Sequence, residues 1–184
     1  MGDDRAMDRL ETSRLLLRGW TGSDSDAQAA YDVLSHEHVW PWLGADPKRV
    51  PDVETARRIA VRWAGLADDV LGVWAVETPT MTGLAPQPCG SVLLLRLARS
   101  DGAECDVVEI GWHLHPSAWG RGIATEGARV LLARAREAGL VQLHAVVRAA
   151  NARSLAVCDR LGMTRLGLTE EWYGTVFVDH VLDL

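Results

Sequence analysis

Residues whose types and spacing could do chemistry fall in a few short stretches. Trp119-Gly120-Arg121-Gly122-Ile123-Ala124-Thr125-Glu126 follows a strand-like run and opens a helix-like one. A chain that turns through glycines into a helix aims free backbone N–H groups at one point. The helix dipole favours negative charge there, so a phosphate or pyrophosphate is the natural occupant. Gly120 and Gly122 let the backbone come close to such an anion, and Ala124 keeps the first helical turn thin. Further on, Asn151-Ala152-Arg153-Ser154 leads into a short helix-like run, with Asn151 or Ser154 suited to cap it and Gly162 to end it. Before the glycine stretch, the run 107–114 alternates. Val108, Ile110, Trp112 and Leu114 share one face, while Glu109, Gly111 and His113 share the other with His115. A carboxylate set in so apolar a run faces water, a partner or a substrate. Glu109 or His113 could take a proton from a reacting group.

The elements that must position these residues follow from periodicity. Residues 11–20 read as a first strand. Ser23 or Asp24 caps a helix to about Ser35, and Asp52 or Glu54 starts another to about Ala67, with Ile59, Trp63 and Leu66 at helical spacing. Between them, His36-Glu37-His38-Val39-Trp40-Pro41-Trp42-Leu43 is a loop rich in aromatics. Strands follow at 71–77 and 90–97, with a long proline-containing loop over 79–89 between them. After the strand at 107–114 come a helix over 125–138, a strand over 141–147, a helix over 152–161, and a terminal strand pair at 163–168 and 175–182. The order β α α β β β α β α β β, without repeat or linker, predicts one α/β (α+β) domain over 1–184. Its core spans about 11–182, with 1–10 flexible, and one mixed sheet of about seven strands carries helices on both faces.

Composition narrows the function classes. At 184 residues and 48% hydrophobic, the chain fits one domain with a sizeable core. A net charge of −6 argues against general nucleic-acid binding. The start is charged and lacks the apolar core of a signal peptide, and no apolar run nears the ~20 residues of a membrane span. Cys89, Cys105 and Cys158 form neither a disulfide framework nor a metal spacing, which fits a cytoplasmic protein. His36 with His38, and His113 with His115, are the close histidine pairs; neither has a third ligand at a recognisable spacing, so no metal is expected. Whether the chain is a monomer or a homodimer cannot be read at this level.

The glycine stretch excludes a P-loop, which needs Gly-Lys-Ser/Thr, and a Rossmann fingerprint, which belongs near the first strand. It resembles the acyl-CoA loop of the GNAT N-acetyltransferase superfamily, Gln/Arg-x-x-Gly-x-Gly/Ala, with Gly122 and Ala124 in the small positions. Trp119 replaces the leading Gln or Arg, as in the branch that acetylates ribosomal-protein N-termini. Asn151-x-x-Ser154 followed by Leu161-Gly162-Met163 resembles the second cofactor motif of the same family. Together the motifs cover about 107–163, and the flanking element order extends the likeness over nearly the whole chain. The resemblance implies a GNAT fold in which the fourth and fifth strands splay to admit acetyl-CoA. Asn151 would then bond the pantetheine arm with Ser154 nearby. Trp119, Gly120, Arg121, Gly122, Ile123, Ala124 and Thr125 would hold the pyrophosphate. The segment Trp112, His113, Leu114 would offer a backbone N–H to the thioester carbonyl.

The implied reaction moves an acetyl group to a primary amine by direct attack in a ternary complex. Glu109 is the expected base, with His113 the alternative. The family often places a Tyr seven residues after the motif Asn, as acid for the departing thiolate; here that position is Cys158, leaving Cys158, Tyr173 or Ser154 to fill the role. Relatives wall the acceptor site with the segments matching 36–43 and 170–175. That implies an aromatic, partly acidic pocket including Trp40, Trp42, Trp172 and Tyr173, with Glu170 or Glu171. The acceptor is a protein N-terminus or a small amine such as an aminoglycoside, polyamine or amino acid. A non-catalytic acyl-CoA sensor is the rival from another class.

Overall fold

The strands are β1 (Leu10–Glu11), β2 (Leu16–Gly19), β3 (Gly72–Glu77), β4 (Pro88–Arg96), β5 (Val108–Leu114), β6 (Gln142–Val147), β7 (Thr164–Thr169) and β8 (Phe177–Asp183). The helices are α1 (Asp24–Leu34), α2 (Val53–Ala64), α3 (Ile123–Glu137) and α4 (Ala152–Leu161). In this computed structural model, which describes residues 8–78 and 87–184, the strands form one sheet in the order β1-β2-β3-β4-β5-β6-β8-β7. Every pairing is antiparallel except β5 with β6. The sheet has eight strands rather than about seven because the first expected strand is broken. Thr12 turns the chain, its N–H donating to the Leu15 carbonyl at 2.9 Å and its hydroxyl accepting from the Leu15 N–H. The loop expected over 79–89 lies mostly outside the described residues.

Helices cover both faces. Against α3 and α4 lie Val92, Leu94, Val108, Ile110, Leu143 and Ala145, all buried. The opposite face buries Trp20, Val73 and Ala75 beneath α1 and α2, with Leu93 and Leu95 packed alongside. The helices start where side chains can satisfy their first N–H groups: Ser23 accepts from Asp26, Asp52 from Thr55, and Asn151 from Ser154. Gly162 ends α4 at φ +77, a conformation costly for other residues.

A buried ion cluster ties α1 to the sheet. Arg18 on β2 donates to both oxygens of Asp26, at 2.9 and 2.7 Å, and to Glu77 on β3 at 2.7 Å. Asp26 is 1% exposed and Glu77 6%. Burial works against the Asp26 carboxylate, yet hydrogen bonds from Arg18 and Thr21 prevail and hold its pKa below the ordinary range.

The sheet parts in its middle. β4 and β5 pair from Gly90 with Leu114 down to Arg96 with Val108, whereas β5 and β6 meet in register only at Glu109 with His144. These are the expected fourth and fifth strands, renumbered by the broken first one. The cleft that opens between them runs toward the C-terminal ends of both strands.

Candidate active site

At the mouth of the cleft, the chain leaves β5 through a short 3-10 turn, Pro116–Ala118, and enters α3. Gly120 and Gly122 take left-handed φ values of +70 and +78, which turn the backbone N–H groups into the start of the helix. Gly122 is the helix cap and supplies no side-chain acceptor, so the first N–H groups of α3 lack the side-chain partner that each of the other helices has. Gly120, Arg121 and Gly122 are exposed. A Cβ at Gly120 would meet open space. Arg14 braces the loop from outside, donating to the Arg121 carbonyl at 3.2 Å and pairing with Glu126.

The neighbouring motif residues divide by role. Trp119 donates from its indole to the Leu114 carbonyl at 2.8 Å, and the Arg153 guanidinium stacks 4.8 Å from its ring centroid. The side chain that replaces the usual polar residue thus closes the end of β5. Ala124 is half-buried beside the core and Ile123 is buried within it. The Thr125 side chain is also buried and bonds Arg160 of α4 at 3.2 Å, so it joins two helices rather than facing the loop. Trp112 packs against the core. Asn151 and Ser154, both half-buried, stand at the start of α4 a few residues past β6, the Ser154 N–H donating to the Asn151 side-chain oxygen at 3.2 Å.

Glu109 lies at the closed end of the cleft, at the point where β5 and β6 still touch. Its register partner on β4 is Leu95, which belongs to the α1–α2 face, so the carboxyl points to that side. Burial among apolar neighbours pushes its pKa up to about 7, against the opposing effect of a hydrogen bond from the Tyr173 hydroxyl. Burial, the Glu109 charge and that bond together raise the Tyr173 phenol well above its ordinary value. Tyr173 holds φ +57, the one described non-glycine residue with positive φ. A carboxyl that changes charge near neutrality and is held by a phenol is suited to collect a proton.

The structure corrects several expectations. His113 stacks on Trp63 with ring centroids 5.2 Å apart, its Nε2 is buried without a partner, and burial drops its pKa to about 4, so it makes a poor base. Cys158, on the inner side of α4, is fully buried in the core, and burial above all pushes its thiol up to about 12, so it packs the core and is poorly placed to give a proton. Trp172, expected as an exposed wall ring, is 3% exposed and donates to Asp179 at 3.2 Å. Glu171 pairs with Arg99 at 2.7 Å, and both it and Glu170 are exposed. The histidines regroup as well. His36 lies 5.5 Å from His38 and 5.0 Å from His115 by ring centroids, and among the described residues no three His, Cys, Asp or Glu are grouped to hold a metal ion.

Trp40, half-buried, and Trp42, 37% exposed, lie on a short 3-10 turn after α1. Arg148, just past β6, fixes the loop that follows by donating to the carbonyls of Gly44 and Ala45 at 2.8 and 3.0 Å. Its guanidinium lies over Phe177, 5.4 Å from the ring centroid, and Phe177 meets Tyr173 edge-on at 6.3 Å. This row of Tyr173, Phe177 and Arg148 connects the carboxyl to the aromatic loop. Sequence reasoning missed Arg148 and Phe177; their face of the sheet follows from the alternation of β6 and β8, but their proximity to Tyr173 does not.

A helix start open to an anion, set beside a parted sheet, is suited to hold a phosphate-bearing ligand. Residues 14–164 match the acetyltransferase (GNAT) domain family, and the chain belongs to that family as an acetyltransferase. Solved structures share its fold at low identity. A GNAT-family acetyltransferase from Bacillus anthracis is 20% identical with a TM-score of 0.74, over 96% of this chain and 98% of its own. The ribosomal-protein-S5-alanine acetyltransferase of Vibrio fischeri is 16% identical with a TM-score of 0.71, over 96% of each chain. RimL, a ribosomal L7/L12 α-N-protein acetyltransferase solved with coenzyme A, is 16% identical with a TM-score of 0.75, over 96% of this chain and 98% of its own. Among the described residues no helix is long and apolar enough to cross a membrane.

Proposed function

We propose that this acetyltransferase moves the acetyl group of acetyl-CoA to a primary amine, with a protein N-terminus as the favoured acceptor. The observation that carries the reading is Glu109, a carboxyl raised to about 7 at the closed end of the cleft. The pyrophosphate would rest on the open N–H groups at Gly120 to Ala124, with the pantetheine arm along the cleft past Asn151. The amine nitrogen attacks the thioester carbon, the carbon–sulfur bond breaks, and the amine proton passes to Glu109, directly or through a water. CoA departs as a thiolate, a fair leaving group that needs no protein acid. Tyr173 holds the Glu109 carboxylate in place. A sensor that only bound acyl-CoA would have no use for a carboxyl tuned near neutrality. The protein N-terminus is favoured because Trp119 stands in the loop as in the ribosomal-protein branch, and because solved structures of that kind share the fold.

The deciding experiment measures CoA thiol release from acetyl-CoA across short peptides with varied N-termini and across small amines. Release with peptides, abolished when their N-termini are blocked, is the expected result. Release with small amines alone would replace the protein acceptor by a metabolite. Silence across the whole panel, with tight acetyl-CoA binding, would favour the sensor. A second expectation concerns the loop. Gly122→Val forces a branched side chain into a left-handed position beside the open N–H groups. Acetyl-CoA should bind about tenfold or more weakly by calorimetry, about 1.4 kcal/mol or more. Unchanged affinity would move the pyrophosphate elsewhere.

A further inference from the structure

A buried polar cluster lies next to the proposed base, and the reaction above does not use it. Asp179 on β8, 5% exposed, faces Nδ1 of His144 at 3.0 and 3.1 Å from its two oxygens and accepts from the Trp172 indole at 3.2 Å. His144 is also the residue opposite Glu109 in the pairing of β5 with β6. Its second ring nitrogen meets the Gln142 side-chain oxygen at 3.2 Å, and the Gln142 amide in turn donates to Asp183 at 2.9 Å. A carboxylate taken out of water must be well bonded, and here its partners include the residue that precedes Tyr173.

Tyr173 is the strained member of this neighbourhood. Its left-handed backbone is disfavoured for a side chain with a Cβ, and such a conformation persists only where the surroundings enforce it. One side of the turn is fixed to the connection after β4. The Tyr173 N–H donates to the Ala98 carbonyl at 2.8 Å, the Gly174 N–H to the Ser100 hydroxyl at 2.8 Å, and the Ser100 N–H to the Glu171 carbonyl at 2.8 Å. On the other side, toward β8, the tether is the indole of Trp172 bonded to Asp179. The groups around Glu109 are Tyr173 from this turn, His144 from β6, Leu95 from β4, and His113 further along its own strand.

We propose that Asp179 is a positioning residue, which seats the strained turn through the Trp172 indole so that the Tyr173 hydroxyl meets Glu109. The proposal rests on Glu109 and Tyr173 lining the reaction site. His144 orients the Asp179 carboxylate and separates it from Glu109. Asp179 itself transfers no proton to substrate.

The chain has two tyrosines, so with Tyr31→Phe as the parent the phenol of Tyr173 can be followed alone by its phenolate absorbance. In the parent, Tyr173 titrates well above the ordinary value of ~10, because burial and the Glu109 carboxylate both hold its proton. Asp179→Ala and Trp172→Phe each cut the tether, and the titration is expected to fall back toward ~10, as it does when the partner is removed in Glu109→Ala. Asp179→Asn leaves an oxygen for the indole and is expected to keep the parent titration, whereas Asp179→Leu, which fills a similar volume without an acceptor, is expected to lose it as Asp179→Ala does. Parent-like titration in both Asp179→Ala and Trp172→Phe would overturn the proposal, and if one of them fails to fold the other decides. Should Glu109→Gln turn over normally, Glu109 would lose its role as base, yet the shift of the phenol would still be read. The two failures are therefore distinguishable.

Discussion

Glu109→Gln is expected to lower the rate of acetyl transfer by roughly 10²–10⁴-fold, the usual worth of a positioned base. Acetyl-CoA affinity should stay within about twofold, since the carboxyl lies at the closed end of the cleft, away from the loop that would hold the pyrophosphate. The pH profile gives the sharper signature. A base with a pKa of about 7 makes kcat/KM rise with pH through neutrality, and the glutamine enzyme should lose that limb. Stability should move with the opposite sign. The folded-state pKa lies above the ordinary carboxyl value of 4.5, so the folded protein binds the proton more tightly than the unfolded chain. The stabilising contribution is fully present below about 4.5 and is lost as pH rises through about 7. Above neutrality, Glu109→Gln is therefore expected to unfold at a higher temperature than the parent, by an amount equivalent to at most about 3 kcal/mol. Normal turnover across pH in this variant would remove Glu109 from the chemistry.

Arg18→Ala should be the most damaging single change away from the cleft. It strands Asp26, 1% exposed, and Glu77, 6% exposed, without the guanidinium that serves both. Breaking a buried pair by removing one partner costs about 3–5 kcal/mol, because the remaining charge stays buried. For a domain of this size that lowers Tm by on the order of 10 °C, readable by thermal unfolding near pH 7. Part of the loss should return at pH 4 or below, where the stranded carboxylates accept protons in the folded state. A Tm within about 2 °C of the parent at pH 7 would show that water reaches the cluster. Function should suffer too, since this cluster anchors α1, which leads into the loop bearing Trp40 and Trp42.

Much of this was legible in the sequence, for local reasons. The span of α4, residues 152–161, was read correctly because Asn151 caps one end and Gly162, at φ +77, closes the other. The face of Glu109 followed from strict alternation along β5, a period set by the backbone. What failed was long-range. The contact of Tyr173 with Glu109 joins residues 64 apart in sequence, and no periodicity encodes it. From sequence, Trp172 reads as an exposed ring because it lies between strands. The Asp179 that draws its indole inward is only seven residues further on, but across a turn whose shape depends on Ser100 and Ala98. The first strand was read as continuous since its alternating leucines mask the turn at Thr12. Cys158 stands where the resemblance implies a tyrosine, and only the packing on the inner side of α4 shows why a small apolar side chain fits there.

The parting of β5 from β6 also bears on how the molecule comes undone. Within the sheet, β5 and β6 meet in register only at Glu109 with His144, and beyond the strands a bridge of Arg99 with Trp172, with the backbone bonds of Tyr173 to Ala98 and Ser100 to Glu171, ties the two sides. The remaining ties include side-chain bonds: Tyr173 to Glu109, Glu171 to Arg99, Arg160 to Thr125, and Arg148 to the loop at Gly44. One hydrophobic core spans both sides, but the seam carries fewer ladder bonds than the other strand pairs, so it is expected to open locally at a lower free energy than the whole fold. A donor held in the cleft, as proposed, would bridge this seam, so occupancy is expected to slow local opening there as well as to raise the midpoint of melting.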